Sequence, residues 1–106
     1  MFQKYISVPK NSEGIYEYDT GVQGSKNLSF YSLPKNEFEF LINNKIFGYL
    51  NDKGSLMIDD YESEIVPFDL LKQEIQLWDD LKDKAPTLVK AVKEALTYKT
   101  FIGLDF

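Results

Sequence analysis

Apolar and polar positions change rhythm along this chain, from short clusters in its first third to helical stripes in its last. Tyr5, Ile6 and Val8 belong to a cluster from Phe2 to Val8 that stops at Pro9. Asn11, Ser12 and Gly14 follow as turn formers. The run Ile15-Tyr16-Glu17-Tyr18 is short, aromatic and partly alternating, and predicts a second strand. Strand alternation would put Tyr16 and Tyr18 on one face, with Glu17 and Asp19 on the other. A turn-rich interval, Gly21 to Asn27, leads to Leu28-Ser29-Phe30-Tyr31-Ser32, a third strand closed by Pro34. Strands punctuated in this way predict an antiparallel meander.

From Asn36 the rhythm is ambiguous. Phe38, Leu41, Ile42, Ile46, Tyr49 and Leu50 follow helical spacing. Asn36 with Glu39 suits an N-terminal cap, and Gly54 suits the position just past a helix end. One long helix over residues 36–54 is the favoured expectation. The competing one ends a short helix near Asn43-Asn44 and pairs Ile46–Leu50 with Ser55–Ile58 across the hairpin loop Asn51-Asp52-Lys53-Gly54. Either way Leu56-Met57-Ile58 is expected to be a buried strand.

Pro67 suits a first helical turn. Phe68, Leu71, Ile75, Trp78 and Leu81 then fall on one stripe, predicting an amphipathic helix of about four turns with Trp78 in the core. Pro86 starts another, with Leu88, Val92, Ala95 and Leu96 inward. Thr100–Phe106 closes the chain as a strand or a docked tail. The fold class expected is α+β: a small antiparallel sheet from the N-terminal half, packed against two or three C-terminal helices in one domain, residues 1–106.

Composition agrees with a folded domain, since the 106 residues are 43% hydrophobic and 15% aromatic. No apolar run approaches the ~20 residues that cross a bilayer, and Met1–Tyr5 lacks the layout of a signal peptide. A cytoplasmic protein without membrane contact is expected. There is no cysteine, and hence no disulfide framework.

Charge changes the picture more. The net charge is −5, but it is not evenly spread. Residues 1–58 hold six acids and six lysines, residues 59–83 nine acids and two lysines, and residues 84–106 two acids and four lysines. The segment 59–83 repels free nucleic acid and suits a basic protein surface. Every cation is lysine and histidine is absent, so bidentate arginine clamps and a neutral-pH titrating ring are both excluded.

Asp59-Asp60-Tyr61-Glu62-Ser63-Glu64 is the densest feature, with four carboxylates in six residues. It fits a solvated loop, a contact patch for a basic partner, or a site for Mg²⁺ or Ca²⁺. An EF-hand's glycine and spacing are missing, as are Ser-His and Cys-His pairs, a phosphate-binding glycine loop and a dinucleotide fingerprint. No catalytic residue, cofactor or metal is therefore assigned, and the chain is not expected to be an enzyme. The candidate partner-binding residues are Asp59, Asp60, Tyr61, Glu62 and Glu64, joined by Tyr16 and Tyr18. For the two tyrosines, half-buried packing is the default and an exposed aromatic contact the alternative.

The run Ile58-Asp59-Asp60-Tyr61-Glu62-Ser63-Glu64-Ile65-Val66-Pro67 precedes an amphipathic helix, and the chain closes on Phe101-Ile102-Gly103-Leu104-Asp105-Phe106. Over residues 58–106 this resembles the small acidic immunity proteins of bacterial polymorphic-toxin systems, including contact-dependent growth inhibition. The resemblance implies a monomer bound to a cognate toxin domain, often a nuclease, whose active site or nucleic-acid entry it blocks. That group is structurally diverse, so the resemblance fixes no fold and transfers no contact residue. Other expectations are a phage-type inhibitor of a host nucleic-acid-binding defence protein, and a small carboxylate-dependent metal-binding protein or enzyme.

Overall fold

A computed structural model describes residues 3–22, 24–59 and 63–106. Strand β1 (Tyr5–Pro9) is followed by helix α1 (Ser12–Thr20), not by a second strand. The local reason is capping. The Asn11 side chain accepts from the Gly14 N–H at 2.8 Å, and Gly21 closes the helix in the left-handed region at φ 81°. These start and stop signals outweigh the partial alternation of Ile15–Tyr18. Strand β2 (Leu28–Ser32) forms as expected.

Residues 36–54 form neither one helix nor a helix and a hairpin. They form α2 (Lys35–Asn43) and α3 (Ile46–Gly54), separated where Lys45 takes φ 58°. Gly54 is the last residue of α3, and Ser55 takes the left-handed cap instead. Gly54 has a packing role: a Cβ there would stand 2.7 Å from the Leu70 side chain. Leu56-Met57-Ile58 is not a strand. Ile58 is buried, whereas Met57 is 73% exposed. Asn51 takes the place of a neighbouring strand: its amide accepts from Ile58 N–H at 2.7 Å and donates to Ile58 C=O at 3.1 Å.

Strand β3 (Ser63–Val66) leads through Pro67 into α4 (Phe68–Gln73) and α5 (Ile75–Leu81). The expected four-turn helix is interrupted at Glu74. Glu74 takes the inner position, where its carboxylate accepts from the Tyr49 hydroxyl at 2.6 Å, and Ile75 is turned out to 62% exposure. Trp78 is core as expected, with its indole N–H donating to Leu71 C=O at 2.8 Å. Helix α6 (Pro86–Tyr98) and strand β4 (Ile102–Asp105) complete the chain.

The fold is α+β. The described strands form one antiparallel sheet of order β2-β1-β4-β3, so β4 lies between β1 and β3. The N-terminal half supplies two strands and the C-terminal half two, and the chain order is not a meander. Ile6, Val8, Val66, Ile102 and Leu104 belong to the core, as do Leu88, Val92 and Ala95 of α6. Helix α6 lies against β1, β2 and β4 on this face, and α1 lies across the other. Among the described residues, no helix is long and apolar enough to cross a membrane.

Candidate functional site

The sheet face beneath α1 carries polar chemistry. Register puts Tyr5, Ser7, Phe30, Ser63, Ile65, Gly103 and Asp105 on it, because directly opposed residues share a face and alternate residues along a strand do too. Gly14 lets α1 approach closely, since a Cβ there would collide with the Asn27 carbonyl oxygen. Gly103 does the same for the Tyr18 ring, which lies directly over it. The ring also meets Phe101 edge-on at 5.5 Å.

Tyr18 is thereby aimed at Asp105. Its hydroxyl donates to Asp105 Oδ1 at 3.2 Å, as does the Ser63 hydroxyl at 3.2 Å, while Ser7 donates to Oδ2 at 3.3 Å. Burial first, then the Asp105 carboxylate, and more weakly Glu64, hold the Tyr18 phenol well above its usual range. It remains a neutral donor throughout the physiological range. Asp105 is half-buried, and no cation lies within 4 Å of it among the described residues.

A cleft of about 370 Å³ opens above this carboxylate, lined by Ser7, Tyr18, Asp19, Phe30, Ser63 and Asp105 among others. A second depression of about 350 Å³ lies along α1, between Ile15, Tyr16, Tyr18, Ile65 and Phe101. Among the described residues, no lysine lines either one.

The predicted contact residues divide as follows. Tyr16 and Tyr18 do not share a strand face. On a helix, residues two apart point about 200° apart. Tyr16 is accordingly 69% exposed, and Tyr18 turns onto the sheet. Both nevertheless border the second depression. Asp59 is exposed. Glu64 is half-buried, and its carboxylate is tied to backbone, accepting from Met57 N–H at 3.0 Å and Ile65 N–H at 2.9 Å. Asp60, Tyr61 and Glu62 lie outside the described residues. Farther along the acidic segment, Asp69, Asp80 and Asp83 are exposed without an ion pair among the described residues, and Asp79 meets Lys82 at 3.6 Å. Among the described residues, no three carboxylates converge closely enough to hold a metal ion.

Sequence reading missed Asp105, Ser7 and Ser63. The signal for Asp105 was faint but present. In Ile102-Gly103-Leu104-Asp105, two large apolar residues alternate with a glycine and an acid, so one face packs while the other admits an aromatic ring and a charge.

The chain matches no protein-family model, no curated protein and no solved structure with which it was compared.

Proposed function

We propose that the protein is a stoichiometric inhibitor of the immunity type. It binds a cognate toxin domain, of the nuclease kind, by presenting an acidic face to the basic surface that such a domain uses for nucleic acid. The alternative of a phage-type inhibitor relies on the same surface physics, and the neighbouring genes separate the two.

One observation carries the reading. Residues from three remote parts of the chain meet around Tyr18. Tyr16 and Ile65 share a depression with it, Asp105 accepts its hydroxyl, and Glu64 lies near enough to bear on its ionisation. The surface thus joins an exposed aromatic ring, apolar area and carboxylates. Aromatic anchors supply contact area, and carboxylates steer and orient a basic partner. Asp59, which opens the acidic segment, is exposed and carries the same sign of charge.

The test is protection. The protein is co-expressed with each toxin domain encoded beside its gene, in cells where that domain alone is lethal. Survival together with a one-to-one complex on gel filtration is expected. Death in every pairing, with no complex, overturns the proposal.

A further inference from the structure

We infer that the cleft above Asp105 receives the ammonium or guanidinium group of a lysine or arginine side chain projecting from the partner protein. This rests on the reading above and names the contact at its centre.

The floor of the cleft is electrostatically incomplete. A carboxylate offers about four acceptor positions, and among the described residues the Asp105 group has three donors, all neutral hydroxyls. Their distances of 3.2–3.3 Å are long beside the ~2.7–2.8 Å usual for O–H···O bonds. The charge itself is uncompensated, as no cation lies within 4 Å among the described residues. A half-buried carboxylate gains most from an ionised donor, whose hydrogen bonds are shorter and stronger than those of neutral groups.

The walls suit the rest of such a side chain. Val22, Leu28 and Phe30 offer apolar contact for a methylene stem. Tyr18 and Phe30 both line the cleft, and aromatic rings attract a cation. Asp19, exposed, adds a second carboxylate to the lining. The volume of about 370 Å³ is at the lower end of the ~300–1,000 Å³ typical of small-molecule sites. A bare metal ion fits poorly, because the three hydroxyls donate to the Asp105 carboxylate and, among the described residues, no three carboxylates converge. Position favours a side chain over a free amine. Ser63, a wall of the cleft, belongs to the acidic run Asp59–Glu64, and Tyr18 borders both depressions. A basic protein docked in the cleft thus also meets the end of the run at Ser63 and Glu64.

The test uses three probes followed by NMR at the amides of Ser7, Gly103 and Asp105. They are the N-acetyl, N-methylamide derivatives of lysine, of arginine and of norleucine, the last a neutral analogue of lysine. Saturable shifts with the two cationic probes are expected, with norleucine weaker by about tenfold or more, the equivalent of ~1.4 kcal/mol. Asp105→Asn and the exposed Asp19→Asn should each weaken the cationic probes; Asp19→Asn serves if Asp105→Asn does not fold. Equal binding of norleucine, or no saturation by any probe, overturns the inference. So does putrescine binding more tightly than the lysine probe, which would make the cleft a small-amine site. If a toxin complex forms but neither Asp variant weakens it, this inference fails while the immunity reading stands. If no complex forms, the immunity reading fails whatever the probes do.

Discussion

The ring of Tyr18 occupies the space a side chain on Gly103 would need, and a Cβ built there collides with the phenol end of the ring. The Tyr18 hydroxyl reaches Asp105, two residues further along β4, only because of that vacancy. Gly103→Ala therefore displaces the ring from the Asp105 carboxylate. We expect a loss of about 1–3 kcal/mol, the usual range for an added methyl in a packed site. Chemical denaturation measures it, and the Tyr18 phenol should ionise closer to its ordinary range. Unchanged stability with an unchanged tyrosine titration would show that the ring is not seated on Gly103.

Gly14 gives a test of opposite sign to the general rule. Glycine to alanine inside a helix ordinarily stabilises by about 1 kcal/mol. Here the added Cβ meets the Asn27 carbonyl oxygen, a backbone atom that cannot swing aside. Gly14→Ala should destabilise by ~1–3 kcal/mol in urea unfolding. Stabilisation would mean that α1 does not sit this close to the chain at Asn27.

These two glycines illustrate what could be read in the sequence. Helix α6 and strand β2 were legible because periodicity and punctuation agree there. Residues 68–81 were legible as helical, but the interruption at Glu74 was not. No glycine or proline marks it, and the Tyr49 hydroxyl that meets Glu74 is 25 residues away in sequence. Helix α1 was legible in principle from Asn11 and Gly21, whose capping signals compete with the alternation of Tyr16 and Tyr18. The strand role of Leu56–Ile58 was predicted from apolar content, yet Asn51 satisfies Ile58 by side chain. Of the candidate site, the charge of segment 59–83 was visible. The meeting of Tyr18 with Asp105 depends on sheet order, which local pattern does not encode.

Glu37 caps a helix from outside it. Its carboxylate accepts from the Thr87 N–H at 2.9 Å and the Thr87 hydroxyl at 2.6 Å, although Glu37 lies in α2 and Thr87 in the first turn of α6. Ala85, at the N-cap, has no side chain able to do this. Glu37 is only 5% exposed, so water is a poor substitute. Glu37→Ala should cost about 1–2 kcal/mol, as loss of a capping group typically does. Thermal unfolding measures it, with Glu37→Gln expected to retain part of the effect. Equal stability of all three proteins would remove Glu37 from the cap.

Alkaline unfolding should follow the tyrosines. Tyr31 is pushed up to about 12 by burial first and by its 2.6 Å hydrogen bond to Glu94. Tyr18 is raised further, and Tyr49 is raised by its hydrogen bond to Glu74. Unfolded tyrosine ionises near ~10. The folded chain therefore holds these protons longer than the unfolded one. The contribution of Tyr31 is intact below pH ~10 and is lost as pH rises through its folded value of about 12, and the raised Tyr18 and Tyr49 act in the same direction. Tyrosinate absorbance should show a delayed group among the seven tyrosines, and stability should fall across that window. All seven titrating together near the ordinary value would contradict the hydrogen-bonded geometry.

The most direct measurement of the central claim is the affinity for the toxin domain encoded beside the gene, by calorimetry over a series of salt concentrations. The comparison is between wild type and the triple variant Asp59→Asn, Asp60→Asn, Glu62→Gln. Glu64 is kept because its carboxylate holds the Met57 and Ile65 N–H groups. The variant's unfolding midpoint, measured alongside, separates a loss of binding from a loss of fold. An acidic binding face predicts a complex that weakens with salt, and a variant weaker by about tenfold or more with a shallower salt dependence. A variant that binds as tightly as wild type at every salt concentration, or a wild type that binds no such domain, would contradict the account.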